Sequence, residues 1–344
     1  MIHLYSNEIV FRGHPDKVAD QISAALLGWC MIRDPKTRAG IEVLGGKGII
    51  VVSGEVTTNA VFDESVVKAV VCETLESIGY DYTKYKVIDN IGKQSPDIAM
   101  GVDTGGAGDQ GMMFGYACRD TAEYLPTAMV ILQKFARAYD ELRKEYPKLL
   151  YPDGKAQITG YYEGRELKKI KTFLCSYQNA ETRRNYTDTL IKILIKKIAD
   201  EHGIEIEQIL LNPTGKFLIG GFEGDAGLTG RKIVVDAYQS FANVGGGCMN
   251  GKDPTKVDFS AAHKARAIAK DILDRNPAVD WCEVQLSYAI GKDTPLAIYI
   301  STNIGDIKPS KNLYEECTPK RIIHDLGLTD VDFEELAKFG HFVG

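Results

Sequence analysis

In the stretch FRGHPDKVADQISAALLGWC, a histidine, a proline, a carboxylate and an ammonium (His14, Pro15, Asp16 and Lys17) stand directly before a run of apolar residues. Gathered within four residues, such groups can handle a proton, a metal ion and an anion at one point. A longer stretch, NPTGKFLIGGFEGDAGLTGRKIVVDAYQ, runs into NVGGGCMNGKDPTKVD and sets glycines among Lys216, Asp225, Arg231, Lys232, Lys252, Lys256 and Asp258. Glycines let a backbone approach a ligand and expose its N–H donors, and lysines and arginines add charge, which is how polyphosphate is cradled. Neither GLTGRK nor GCMNGKD has the Walker spacing or its Ser/Thr, so a P-loop nucleotidase is disfavoured. A triphosphate normally travels with Mg²⁺, whose oxygen ligands include one or two protein carboxylates. Asp16 and Asp258 each sit beside a His or Lys able to touch the same phosphates. Taken singly, each feature has a plainer reading: Asp16 as a helix cap, His14 as a cap or packed surface residue, the glycine segments as solvated turns.

A third glycine segment, GAGDQG (Gly106 to Gly111), satisfies the G-x-G-x-x-G pattern. It follows PDIAMGVDTG, which is no apolar strand, and lacks a βαβ frame, so a glycine-hinged loop beside a site is the better reading than a dinucleotide fold.

The elements that must position these groups follow from periodicity. After Pro15, residues Val18, Ile22, Ala25, Leu26 and Trp29 recur at helical spacing, with Asp16 and Asp20 one turn apart on a more polar face. DESVVKAVVCETLESIG reads as a second helix closed by Gly79. Further helices are expected within Thr121 to Lys144, Glu181 to His202 and Ser260 to Arg275, and near Lys320. KGIIVVSGEVTT, KAQITGYYEG, KIKTFLCSYQ, KFLIGG, RKIVVDAY, CEVQLSYAIG and PLAIYIST read as strands. The chain is therefore an α/β mixture with about two helices in each third.

At 344 residues, two or three domains are expected, with cuts near residues 104 and 214. A net charge of -6 argues against a general nucleic-acid binder, so any anion must be held by a local basic pocket. The seven cysteines are scattered, without a Cys-x-x-Cys pair, and read as reduced, mostly buried thiols. No apolar run is long enough for a membrane span and MIHLYSNEIV has no secretory pattern, from which a cytoplasmic location is expected.

Taken together, GHPDKVADQIS, SGEVTT, IGKQSPDI, GAGDQGMMFGYA, PDGKAQIT, NPTGKFLIGGFEGDAGLTGRKIVVDAY, GGGCMNGKDPTKVD, CEVQLSYAIG and FGHFVG closely resemble the S-adenosylmethionine synthetase (methionine adenosyltransferase) family, in order and across nearly the whole chain. The resemblance implies an α/β (α+β) fold of three similar domains around a pseudo-threefold axis, here 1–104, 105–214 and 215–344. It implies ATP and L-methionine as substrates and displacement by sulfur at the ATP C5′. Triphosphate leaves and is then hydrolysed to phosphate and diphosphate. It further implies two Mg²⁺ and a K⁺ per site, and a homodimer or homotetramer whose active sites lie between subunits; neither nucleic acid nor membrane is a partner.

Carried over position by position, the resemblance places His14 beside the leaving oxygen and makes Asp16 and Asp258 the Mg²⁺ ligands, with Glu42 helping to hold K⁺. Lys155, Arg231, Lys232 and Lys252 would hold the phosphates, with Lys256 at the junction of methionine and phosphate. Phe217 would stack on adenine, Asp153 and Asp225 would contact the nucleoside, and Glu55 and Asp225 the methionine ammonium. Asp109, Lys216 and Cys248 complete the expected nucleotide contacts, and Met100 those to methionine.

Several positions depart from the family pattern. Met100 stands where a glutamine is usual, and only Thr104 and Gly105 separate GVD from GAGDQG, where a longer mobile loop is common. Arg12 replaces an acidic residue, Asn179 a histidine, Lys216 an arginine and Phe259 an arginine, and the chain ends soon after FGHFVG. The expectation is an intact triphosphate end and an altered methionine end. The alternatives are a synthetase with a changed sulfur-substrate preference, a non-catalytic ATP-binding regulatory paralogue, and an enzyme that only hydrolyses triphosphate or ATP.

Overall fold

The computed structural model describes residues 1–93 and 106–342. Three sheets carry the architecture. One is a four-stranded sheet with order β1 (Ile2–Val10), β6 (Leu150–Glu163), β7 (Glu166–Asn179), β8 (Ile206–Leu211). A second runs β4 (Lys86–Gly92), β3 (Ile49–Thr57), β2 (Arg38–Gly46), β9 (Gly227–Leu228), and a third β11 (Ala297–Thr302), β10 (Trp281–Tyr288), β5 (Gly111–Cys118). Every sheet joins segments far apart in sequence: β1 pairs with β6, β9 with β2, and β5 with β10. Sequence segments that carry chemistry are thereby brought together from distant parts of the chain.

The helices among the described residues are α1 (Pro15–Arg33), α2 (Glu64–Ile78), α3 (Thr127–Glu145), α4 (Arg184–Glu201), α5 (Ile233–Asp236), α6 (Val257–Arg275), α7 (Lys311–Glu316), α8 (Pro319–Asp325) and α9 (Phe333–Phe339). Pro15 opens α1 at the position where a missing N–H costs nothing. The Asp63 carboxylate caps α2 by accepting from Ser65 and Val66 N–H, and Gly79, at φ +101°, closes it in the left-handed region. Helix α1 is the central element, packed against α2, α9, β2 and β9. It buries Val18, Ile22, Leu26 and Leu27 and also the polar Asp16, Lys17, Asp20 and Gln21, so its polar face looks into the protein.

Two segments expected as strands are not strands. Lys216 to Gly221 stays irregular and enters a short 3-10 turn at Gly221–Glu223, because Gly215 (φ +96°) and Gly221 (φ +60°) sit in left-handed conformations that an extended chain cannot hold. In RKIVVDAY, Ile233–Asp236 forms one helical turn, with Asp236 N–H donating to Lys232 C=O at 2.8 Å. The side chains of Lys232 and Asp236 are both engaged by α1, which curls the backbone there. Strands β1, β2, β4, β5, β8 and β9 lie outside the segments that the sequence suggests as strands. GAGDQG leads into β5 and is pinned by backbone bonds from Ala107 N–H to Lys292 C=O and from Gly291 N–H to Ala107 C=O. All seven cysteines are free thiols, and no described helix is long and apolar enough to cross a membrane.

Phe259, the residue that replaces an arginine of the family pattern, is buried in a cluster with His263, His341, Phe333 and Phe342. Burial pushes the imidazoles of His263 and His341 down to about 3. An unfolded chain takes up these protons near pH 6.5, so the stability tied to neutral rings is complete above about 6.5 and lost as pH falls toward 3. Each histidine should contribute a slope of up to about 1.4 kcal/mol per pH unit in that window. Denaturant titrations at pH 6, 5 and 4 should show a shallower decline for His263→Leu than for wild type; equal slopes would contradict this.

Candidate active site

Strand β1 runs directly into α1, and this junction builds the first half of the site. Phe11 N–H donates to Gly154 C=O and Gly13 N–H to Pro152 C=O, so the mouth of α1 is welded to the start of β6. His14 is the N-cap, its Nδ1 accepting from Asp16 N–H at 3.2 Å. That bond leaves Nδ1 unprotonated and puts the proton of the neutral ring on Nε2. Burial and the nearby Lys232 ammonium, opposed by Asp16, depress the imidazole to about 3.

Asp16 accepts from Leu228 N–H at 3.1 Å and from Lys232 Nζ at 2.5 Å, with Arg231 Nε at 3.7 Å. Burial raises its pKa, but these partners outweigh burial and hold the carboxyl below its ordinary value. The approach is close because residue 227 is glycine: a Cβ there would lie 2.2 Å from Pro15 C=O. Lys155, opposite Val10 in the β1–β6 ladder, is exposed and near enough to repel a charge on His14. Two positions before it, Asp153 accepts from Gly221 N–H at 2.8 Å, and burial pushes its carboxyl up to about 6, with Asp225 adding repulsion. The resemblance-based candidates His14, Asp16, Asp153, Lys155, Asp225, Arg231 and Lys232 thus share one neighbourhood.

The second half lies at the start of α6. Lys256 is its N-cap and donates to Asp253 Oδ2 at 3.0 Å. Lys252 forms a short ion pair with Asp258, in the first helical turn. Burial lowers the Lys252 pKa, but Asp258 overcomes it and the ammonium is held above its usual value. A Cβ at residue 247 would stand 2.0 Å from Asp258 Oδ1, so that glycine is required for the loop to pass. Gly247→Ala should displace Asp258 and lower kcat by at least tenfold at fixed Mg²⁺; an unchanged Mg²⁺ dependence would contradict it. Glu42, on β2, feels both Lys252 and Asp20. Glu55, on β3, pairs with Gly40 in the ladder and lies over it, 2.9 Å from where a Cβ would be.

Other candidates are less connected. Lys216 is exposed on the irregular segment, and Phe217 is half-buried with its C=O accepting from Asn179 N–H at 2.9 Å. Asp109 is exposed and accepts from Gln110 N–H; Cys248 donates weakly to Asn250 C=O, and burial holds its thiol well above the usual value. Met100 lies outside the described residues. Arg12 bonds Gln21 and Ser77 and pairs with Asp140, a structural role. The sequence does not point to Asp236, Asn250 or His341, and it suggests an anion partner for Lys17, whereas these four form a buried polar chain behind both halves. The only available signal was Lys17 and Asp20 on one helix, which by spacing alone look like an exposed pair.

Among the described residues no three His, Cys, Asp or Glu side chains form a ready metal cage. Mg²⁺ does not demand one, since it keeps waters and binds through one or two carboxylates plus phosphate. Asp16 and Asp258, mostly buried and each already facing an ammonium, fit that partial role.

Comparison with known proteins agrees along the whole chain. Residues 2–96 match the S-adenosylmethionine synthetase N-terminal domain, 104–217 the central domain and 219–344 the C-terminal domain. The S-adenosylmethionine synthase of Clostridium tetani is 41% identical over 373 residues, covering 99% of this chain and 94% of its own. That of Salinispora tropica is 39% identical over 382 residues, covering 98% and 93%. Both alignments are longer than this 344-residue chain, so each relative carries residues with no counterpart here.

Proposed function

This chain belongs to the S-adenosylmethionine synthetase family, and from that premise we propose that methionine sulfur attacks the ATP C5′ in line and expels triphosphate, which is then hydrolysed to phosphate and diphosphate. The observation that carries the reading is the convergence of His14, Asp16, Arg231 and Lys232 at the mouth of α1, with Lys155 alongside. Triphosphate leaves only if its charge is met as the C–O bond breaks, and cations already gathered at the site meet it with little reorganisation. His14, neutral and protonated on Nε2, serves as a hydrogen-bond donor to the departing 5′ oxygen. Its occupied Nδ1 and low basicity argue against a role as general base.

Lys155, Arg231, Lys232 and Lys252 bind phosphate oxygens, and Lys256 holds the junction with methionine. Asp153 and Asp225 orient the nucleoside, Phe217 stacks on adenine, and Glu55 receives the methionine ammonium. Two Mg²⁺ ions, when bound, would neutralise the polyphosphate, with Asp16 and Asp258 as their protein ligands and Glu42 beside a K⁺. We assign the active unit to a homodimer or homotetramer with sites shared between copies. Exposed apolar side chains on two sheets support this, among them Leu44 (48%) paired with Leu228 (37%), Ile49 (45%) and Met112 (56%). The domain division 1–104, 105–214 and 215–344 and a cytoplasmic setting complete the reading. The test is mass-spectrometric detection of S-adenosylmethionine from ATP and L-methionine with Mg²⁺ and K⁺. Product formation supports it; ATP binding without product would favour a regulatory role, and phosphate release without methionine a hydrolase.

The short run of Thr104 and Gly105 between GVD and GAGDQG, where the family pattern has a longer loop, and Met100 in place of glutamine support looser control over the sulfur substrate. The ratio of specificity constants for methionine and ethionine should rise about tenfold in Met100→Gln, the worth of one well-placed hydrogen bond. Equal ratios in the two proteins would sink this part of the proposal.

A further inference from the structure

Behind the two halves of the site runs a polar chain that the mechanism above does not use. Lys17 Nζ bonds Asp20 Oδ2 at 3.1 Å and Asp236 Oδ1 at 2.6 Å. Asp236 Oδ2 accepts from Asn250 Nδ2 at 2.8 Å, and Asn250 Oδ1 lies 2.8 Å from His341 Nε2. A carboxylate only accepts, so the Asn250 nitrogen must face Asp236 and its oxygen His341; His341 Nε2 is therefore the donor. The main chain closes the arrangement, with His341 N–H donating to Asp236 C=O at 2.9 Å and Gly230 N–H to Asp20 Oδ1 at 2.9 Å. All five side chains are at most 5% exposed.

Several links lie close in sequence to residues assigned to phosphate or metal. Lys17 follows Asp16, Gly230 and Asp236 bracket Arg231 and Lys232, and Asn250 precedes Lys252 by two residues. The charged members Lys17, Asp20 and Asp236 are each hydrogen-bonded, and of the chain's polar atoms only His341 Nδ1 lacks a partner among the described residues, so these connections favour one geometry. Electrostatic catalysis loses much of its effect when donors sit even about 1 Å out of place. We propose that Lys17, Asp236, Asn250 and His341 are positioning residues that hold the three segments bearing Asp16, Lys232 and Lys252 at the spacing triphosphate requires, with His341 as the terminal clamp. The proposal rests on the reading of those segments as the triphosphate cradle.

The test uses the full chain and compares wild type with His341→Leu, which fills space without donating, and His341→Gln, which can donate to Asn250 Oδ1. Binding of inorganic tripolyphosphate is measured by calorimetry with Mg²⁺, and KM is measured for ATP and for methionine separately. His341→Leu should weaken tripolyphosphate binding and raise the ATP KM about tenfold, the equivalent of one lost hydrogen bond. The methionine KM should stay within about twofold, and His341→Gln should recover most of the loss. Equal behaviour of the Leu and Gln variants, or parallel rises in both KM values, would overturn the proposal. If His341→Leu does not fold, Asn250→Ala is read in the same way: a selective tenfold loss supports the clamp and a parallel loss overturns it. Absence of product in wild type, with tripolyphosphate binding still dependent on His341, would count against the proposed reaction and for the clamp. Wild type that binds no tripolyphosphate would sink both.

Discussion

On the proposed mechanism, His14→Asn should lower S-adenosylmethionine formation by roughly 10²–10³-fold while leaving the fold and the ATP KM nearly unchanged. Asparagine is a good N-cap, and its side-chain oxygen can take over the bond from Asp16 N–H, so α1 keeps its first turn. What the variant would lose is the proposed Nε2–H donor, which the shorter side chain cannot place at the departing oxygen. Hydrolysis of added tripolyphosphate should fall far less, because that step breaks a different bond. Steady-state product formation and tripolyphosphate hydrolysis, measured side by side, separate the two. A variant that makes product at the wild-type rate would remove His14 from the mechanism.

Lys232→Met is the second large effect. Lys232 both balances Asp16 and lowers the basicity of His14, so its removal costs phosphate binding and disturbs the donor at once. Turnover should fall roughly 10²–10³-fold, as for loss of one preorganised donor. Stability should drop by about 1–3 kcal/mol, because Asp16 keeps Leu228 N–H and Arg231 but is left with an unbalanced buried charge. Adding Asp16→Asn to Lys232→Met should restore much of the stability and none of the activity, the sign of a directly coupled pair. Thermal unfolding and kcat of the two single variants and the double variant test this. Additive stability losses would show that the two side chains do not act as a pair.

Much of this site could be read in the sequence because its motifs are local. GHPDK packs a cap, a carboxylate and a helix start into five residues, and Pro15 and Gly79 mark helix ends by backbone restrictions that need no partner. Lys252 and Asp258 also lie within a single short stretch, on either side of a helix start. Long-range pairing was not legible. Strand β9 is two residues long and exists only because β2 lies beside it. IVVD has the alternation and β-branching of a strand, yet it turns helical because Lys17 and Asn250 hold Asp236 from elsewhere in the chain. Lys17 shows the same limit for side chains: its spacing from Asp20 suggests a solvated ion pair, and only the fold shows both groups sealed in the core.

In the proposed reaction the C5′–O bond of ATP breaks as sulfur attacks. It is tested by giving the enzyme methionine and ATP labelled with ¹⁸O at the oxygen bridging C5′ and the α-phosphorus, and following the label by mass spectrometry. S-adenosylmethionine should form in equal amount to the adenosyl group consumed, with all of the label in the phosphate and diphosphate released. Label retained on an adenosine-containing product such as ADP or AMP, with no S-adenosylmethionine, would mean cleavage at phosphorus and would contradict it.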